Sequence, residues 1–153
     1  MSRAFVKETD DAFDELPDRP VSPHPNFVTP EGLAAIETTL ARLQKDHAAA
    51  QASGDRAALA TLARDLRYWT ARRASAQVVA APSNPAMVQF GSTVTILRDD
   101  GRRQTFRIVG EDEADPARGT ISSVSPVARA LMGKAVGDVV RAGHADAEIV
   151  AIA

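Results

Sequence analysis

Carboxylates near a break in a long helical pattern are the first candidates for chemistry in this chain. Gly54-Asp55 forms the break, and Asp46 lies about two and a half helical turns earlier. Carboxylate oxygens are possible metal ligands, and Asp46 could supply a second carboxylate beside Asp55. Asp55 also suits the N-cap of the following helix, and Asp46 suits an exposed helix face. The residue types alone leave both interpretations open.

A second acidic stretch occupies residues 111–115, and Ser125-Pro126 follows it. Alone, its acids Glu111, Asp112 and Asp115 indicate a solvated loop, while Ser125-Pro126 indicates the start of a short helix. The chain has no cysteine, and its three histidines are far apart and lack metal-ligand spacing. We therefore predict no catalytic residue, no metal site and no cofactor that belongs to this chain alone.

Two helices of matched period position the Gly54-Asp55 turn. Thr29-Pro30-Glu31 carries the signals of a helix start, namely an N-cap, a proline and an acidic first turn. Spacings of three and four then predict an antiparallel coiled-coil hairpin over residues 29–81. The predicted seam comprises Leu33, Ile36, Leu40, Leu43, His47, Ala50, Leu59, Leu62, Leu66, Trp69, Arg73 and Ala76.

Charged segments lie on and before this hairpin. Four arginines make the second helix basic, and they indicate a solvated face or a surface for phosphate and acidic partners. They are Arg64, Arg67, Arg72 and Arg73. Residues 1–28 form an acidic, proline-rich arm that cannot continue a helix. We expect an extended, solvated arm, with a docking segment anchored by Phe5, Phe13 or Phe27 as the alternative.

The pattern changes after a proline-containing linker at residues 82–87. Alternating apolar residues predict strands in residues 88–90, 94–96 and 105–109, with a hairpin turn at Asp99-Asp100-Gly101. Further strands are predicted in residues 121–124, 138–141 and 148–152, and a short helix in 126–132. The expected fold class is α+β: the helical hairpin is followed by a compact antiparallel sheet domain with one short helix, in residues 88–153.

Composition excludes several classes of function. The formal net charge of −2 gives no overall basic footprint for nucleic acid. No apolar run approaches the roughly 20 residues of a membrane span, and the N-terminus lacks the apolar core of a signal peptide. We expect a cytoplasmic monomer with no membrane partner.

Two motifs give the chain a specific resemblance to the Gre-type (GreA/GreB) transcription elongation factors of bacteria. They are RIVGEDEAD at Arg107–Asp115 and SPVARALMGKAVGD at Ser125–Asp138. Thr29–Leu33 is also similar to the start of the family's first helix. The resemblance implies an FKBP-like fold for residues 88–153. It also implies docking on bacterial RNA polymerase, with contacts from Glu111, Asp112, Asp115, Ser125 and Pro126.

The same resemblance implies that the hairpin enters the secondary channel of the polymerase, with indirect contact to nucleic acid in the elongation complex. In cleavage-active members, an acidic pair at the hairpin tip helps to hold a second Mg²⁺ in the polymerase active site. The family's tip motif is Gly-Asp followed by Ser-Glu-Asn. Here Gly54-Asp55 matches its start, but Ala58 replaces the second acid. The hairpin also has fewer residues, by roughly two turns per helix.

We therefore expect a polymerase-binding regulator that acts through the secondary channel and modulates transcript cleavage rather than stimulating it strongly. It would not be an enzyme itself, because the polymerase supplies the active site. One alternative is a true cleavage-stimulating factor in which Asp55 reaches the polymerase-bound Mg²⁺. Another is a coiled-coil adaptor unrelated to polymerase.

Overall fold

The structure is a computed structural model that describes residues 15–153. Its class is α+β, as predicted, and it contains two compact units. Of the described residues, the hairpin unit comprises 15–23 together with Ile36–Ser75, and the sheet unit comprises His24–Ala35 together with Ala76–Ala153. The predicted boundaries at residues 28/29 and 81/82 differ from this division, because the first helical turn groups with the sheet. Phe5 and Phe13 lie outside the described residues.

Helices α1 (Pro30–Ser53) and α2 (Arg56–Ser75) form the predicted helical hairpin. Gly54 separates them at a φ of 70°, a left-handed conformation that glycine adopts without steric cost. An ion pair of 3.5 Å joins Arg73 Nη2, near the end of α2, to Glu37 Oε1, near the start of α1. The two helices are therefore antiparallel.

Burial follows the predicted period in α1, where Ile36, Leu40, Leu43 and Ala50 are buried. In α2 the prediction is wrong at two neighbouring arginines. Arg73, predicted on the seam, is exposed, whereas Arg72, predicted on the basic face, is only 1% exposed. The seam prediction rests on spacing, and spacing alone does not decide which of two adjacent arginines is buried by its contacts.

A five-stranded sheet forms the larger part of the sheet unit. Its strands are β3 (Thr93–Arg98), β4 (Arg103–Val109), β5 (Thr120–Ser122), β6 (Val139–Ala142) and β7 (Ala145–Ile152). They lie in the order β5-β4-β3-β7-β6. The β3–β4 hairpin turns at Gly101, as predicted, with a φ of 83°. Helix α3 (Pro126–Leu131) packs against β6, and the core includes Ile96, Ile108, Leu131 and Ile149.

Two details of the predicted sheet are wrong. The β4–β5 pair is parallel, so the sheet is not wholly antiparallel. The chain between these strands is long enough to return to the start of β4, because it contains the acidic loop and a 3-10 helix at Pro116–Arg118. The predicted strand at residues 88–90 is absent. Val88 instead exchanges backbone hydrogen bonds with Gly133 and Lys134, beside α3.

A separate two-stranded sheet brackets the hairpin in sequence. Strand β1 (Phe27–Val28) precedes α1, strand β2 (Gln77–Val78) follows α2, and the two strands are parallel. Gln77 N donates to Asn26 O and Val79 N donates to Val28 O, each at 2.9 Å. The last residues of the predicted arm therefore belong to a sheet rather than to a solvated tail.

Candidate functional site

The acidic loop after β4 contacts the first turn of α1 within the sheet unit, and Glu113 makes the contact. Its carboxylate accepts hydrogen bonds from Thr29 N at 3.0 Å, from Thr29 Oγ1 at 2.5 Å and from Gly110 N at 3.3 Å. Thr29 is fully buried, and its Oγ1 also accepts from Gly32 N at 3.0 Å. A carboxylate at this position satisfies helix-end donors and complements the positive end of the helix dipole.

Two glycines provide the space for this carboxylate. A Cβ atom on Gly32 would overlap Glu113 Oε2, and a Cβ atom on Gly110 would lie 2.5 Å from the carbonyl oxygen of Phe27. Neither glycine has a positive φ, so the requirement is for space rather than for an unusual backbone conformation. We name the group formed by Thr29, Gly32, Gly110 and Glu113 the helix clamp.

A second contact joins the same helical turn to β4. Arg107 Nη2 lies 3.3 Å from Glu31 Oε2. A hydrogen bond from its own backbone N–H, and then the Arg107 guanidinium, lower the pKa of Glu31 below its ordinary value of 4.5. The carboxylate is exposed to solvent, so the energetic contribution of this pair is small.

This lowered pKa predicts a specific pH dependence of stability. A carboxyl group whose pKa is lower in the folded state stabilises the fold above pH 4.5, and that contribution disappears as the pH falls through the folded-state pKa. We therefore expect the unmodified protein to have a slightly larger free energy of unfolding than the Glu31→Gln variant at pH 7. This difference in free energy should vanish in acid. Urea titrations across this range provide the measurement.

Arg107→Gln should reduce the pH-dependent part of the stability difference without abolishing it, because the backbone hydrogen bond is the larger cause of the lowered pKa of Glu31. A difference that stays constant with pH would contradict the prediction.

The predicted docking residues of the acidic loop have different environments. Asp115 caps the 3-10 helix, with its Oδ1 accepting from Ala117 N at 3.2 Å, and its Oδ2 lies 3.5 Å from Arg118 Nε. Glu111 and Asp112 are half-buried, and each interacts with neighbouring groups. The loop is thus an ordered surface in which one acid, Glu113, faces the α1 helix start.

Ser125 and Pro126 begin α3 as the sequence predicts. Ser125 Oγ accepts from Ala128 N at 3.3 Å, and Pro126 is the exposed first residue of the helix. Val109 at the end of β4 pairs with Ser122 at the end of β5, and the strands are parallel. The acidic loop and the Ser125-Pro126 turn therefore both leave from the same end of this strand pair. The structure places the two predicted docking segments at one edge of the sheet.

The hairpin tip presents a single capping carboxylate. Asp55 Oδ1 accepts from Ala58 N at 3.1 Å, which makes Asp55 the N-cap of α2. Asp46 is exposed on α1, where it borders a shallow cleft otherwise lined by Ala49, Ala50, Ala57, Ala58, Thr61 and Leu62. Among residues 15–153, no group of three or more His, Asp or Glu side chains is arranged to hold a metal ion.

Residues 16–19 of the predicted arm contact α2 within the hairpin unit. Arg67 donates to Asp18 Oδ1 at 2.5 Å and to the carbonyl oxygen of Leu16 at 3.0 Å. Arg19 lies 3.4 Å from Asp65 Oδ1, and its guanidinium carbon lies 3.9 Å from the centre of the Tyr68 ring. This segment of the predicted arm is therefore largely exposed to solvent, as expected, but its charged groups also pair with the basic helix.

Sequence reasoning missed Glu113, whose carboxylate accepts three hydrogen bonds. It grouped the loop acids by charge, whereas Glu113 acts through Thr29, which is 84 residues away in sequence. Gly110 and Gly32 were the available signals, since each marks a place where backbone and side chain approach closely. Nothing in the sequence pairs these two glycines with each other.

The part of the chain that contains both sequence motifs is similar to a known protein family. Residues 83–153 match the family model described as transcription elongation factor, GreA/GreB, C-term. Transcription elongation factor GreB of Neisseria meningitidis serogroup B is 36% identical over 133 residues, covering 74% of this chain and 82% of its own length. Transcription elongation factor GreA of Methylobacterium nodulans is 35% identical over 133 residues, covering 74% of this chain and 84% of its own.

The crystal structure of GreA factor homolog 1 of Thermus thermophilus aligns with a TM-score of 0.42 at 20% identity, covering 85% of this chain and 99% of that one. No helix within residues 15–153 has the length and apolar character needed to cross a membrane.

Proposed function

Because the chain belongs to the GreA/GreB family of transcription elongation factors, we propose that it binds bacterial RNA polymerase and acts through the secondary channel of that enzyme. The observation that carries this proposal is the common location of the two sequence motifs. The acidic loop and the Ser125-Pro126 turn leave from one end of the parallel β4–β5 pair. They place acids and a capped helix start at the same end of these strands, which we take as the candidate docking surface.

Docking through this surface is supported by its order and charge. Asp115 and Pro126 are exposed, while the capping hydrogen bonds of Asp115 and Ser125 fix their backbones. Acidic groups favour a basic partner surface through charge complementarity. Because these groups are held in place before binding, little conformational entropy is lost when the partner docks. Glu111 and Asp112 extend the same surface.

We further propose an FKBP-like fold for the sheet unit. We also propose that the protein acts as a monomer in the cytoplasm.

At the hairpin tip, we propose that the protein modulates cleavage rather than stimulating it strongly. Asp55 is the only acid in the Gly54–Ala58 segment, and it already serves as the cap of α2. Mg²⁺ in a two-metal site needs oxygen ligands placed together, and one capping carboxylate meets this need poorly. The polymerase would supply the metal and the active site. The chain would contribute occupancy of the channel and, at most, one carboxylate.

The proposal is tested by binding to core RNA polymerase. We expect the unmodified chain to co-purify with it, and the double variant Asp115→Ala/Pro126→Ala to raise the Kd at least tenfold, which is about 1.4 kcal/mol. Asp99→Ala, an exposed acid at the turn before β4, is the matched control and should leave the Kd unchanged. Far-ultraviolet circular dichroism must show that all variants are folded. Absence of binding by the unmodified chain would favour the unrelated coiled-coil adaptor and defeat the proposal.

A cleavage assay on a backtracked complex separates the two modes of action. Asp55→Asn is the informative variant, because asparagine keeps the N-cap but removes the negative charge. We expect weak cleavage by the unmodified protein and no further loss in Asp55→Asn. Strong cleavage that disappears in Asp55→Asn, but not in Asp46→Asn, would instead identify a true cleavage-stimulating factor that uses Asp55.

A further inference from the structure

We infer that Glu113 is a positioning residue: it holds the first turn of α1 on the acidic loop, so that the effect of this protein on bound polymerase depends on the Glu113–Thr29 pair. The inference rests on the proposed function for its readout. It concerns a residue that neither the motif-based docking set nor the hairpin tip includes.

First, hydrogen bonds to the Glu113 carboxylate hold the helix clamp together. Glu113 accepts three hydrogen bonds, and two of them come from a single residue at the helix start, Thr29. Thr29 is fully buried in the folded protein, so loss of the carboxylate removes the partner of two donors at the helix start. The Gly110 contact is local to the loop. The Thr29 contacts are not needed to close that loop, and they serve to hold α1.

The second step is the division of roles within the loop. Glu113 is turned toward Thr29, which leaves it poorly placed to contact a partner. Asp112 and Glu111, one and two positions before Glu113, are among the proposed polymerase contacts. The same short loop therefore contains the proposed polymerase contacts, Glu111 and Asp112, and the residue that holds α1, Glu113. A polymerase that binds Glu111 and Asp112 thus binds a loop that Glu113 attaches to α1.

The third step is the continuity of α1. The helix runs without interruption from Pro30 to Ser53, immediately before Gly54-Asp55. A helix propagates order along its backbone hydrogen bonds, and its first turn is the part that frays when its cap is lost. Loss of the Glu113–Thr29 pair therefore loosens the start of the helix that carries the tip, while leaving the caps at Asp115 and Ser125 intact.

The experiment compares affinity with maximal effect. The variants are Glu113→Gln and Thr29→Val, with Thr29→Ser as the conservative rescue and Glu111→Gln as the neighbouring control. For each variant, the Kd for core polymerase and the change in elongation or cleavage at saturating protein are measured.

We expect Glu113→Gln and Thr29→Val to reduce the maximal effect at least fivefold while changing the Kd less than threefold. The double variant should be no worse than either single variant, Thr29→Ser should restore the effect, and Glu111→Gln should alter mainly the Kd.

Changes in Kd and maximal effect that run in parallel, or an unchanged maximal effect, would overturn the inference. Failure of the proposed function is recognised separately, because the unmodified chain would then not bind polymerase at all. Amide hydrogen exchange of the free protein provides the independent readout of the clamp. Glu113→Gln should speed exchange of the Thr29 and Gly32 amides at least tenfold, with no change at the Ala58 amide of the tip. Unchanged exchange at Thr29 and Gly32 would show that Glu113 does not hold the helix start.

Discussion

Arg72→Ala is expected to lower the free energy of unfolding by about 3 kcal/mol. Arg72 is 1% exposed and interacts with neighbouring groups. Its removal leaves a cavity where the long side chain was packed, and it strands the polar groups that the guanidinium satisfies. Urea unfolding, monitored by circular dichroism, measures the difference.

The adjacent residue provides the matched control. Arg73 pairs with Glu37 across 3.5 Å, and the two side chains are 58% and 50% exposed. Exposed ion pairs contribute little, so Arg73→Ala should change stability by less than about 0.5 kcal/mol. Arg72→Met, which keeps an unbranched apolar stem but no donors, should fall between the two. Equal effects of Arg72→Ala and Arg73→Ala would contradict the burial on which this prediction depends.

Gly110→Ala is expected to destabilise the protein by about 3 kcal/mol, because the new methyl group meets backbone rather than a movable side chain. Its Cβ atom would lie 2.5 Å from the Phe27 carbonyl oxygen, a separation that requires β1 or the acidic loop to shift. Gly32→Ala should cost less, since the overlapping atom is the end of the Glu113 side chain. Chemical denaturation again provides the measurement.

Gly133→Ala is the comparison that separates lack of space from backbone strain. Gly133 has a φ of 78°, and a Cβ atom there meets nothing within 4 Å. The expected cost is about 1 kcal/mol, from the left-handed conformation alone. If Gly110→Ala proved no worse than Gly133→Ala, the close approach of β1 to the acidic loop would be wrong.

The sequence was most informative where a structural signal is contained within a few residues. Thr29-Pro30, Asp55 and Ser125-Pro126 each predicted a helix start, and each provides a cap in the structure. Asp100-Gly101 likewise predicted the β3–β4 turn. In all these cases the donor and acceptor lie two to four positions apart, so local chain geometry decides the outcome.

Contacts between distant segments could not be predicted in this way. The Glu113–Thr29 pair spans 84 residues, and the Arg67–Asp18 pair spans 49. Both use residue types that are ordinary on a solvated surface. The burial of Arg72 and the parallel pairing of β5 likewise depend on which segments meet after folding. Polarity and period carry no information about such meetings, so the candidate docking surface was predicted while the clamp beside it was missed.

The β1–β2 pair has a consequence for how this architecture tolerates change. Phe27–Val28 and Gln77–Val78 tie together the points where the chain departs into the helices and returns from them. Everything between those points is, topologically, an insertion into the sheet unit with its two ends stapled by main-chain hydrogen bonds. Whole turns removed in matched numbers from both helices leave the staple untouched. A longer helical hairpin exchanged at residues 36 and 75 is therefore expected to fold on the same sheet unit.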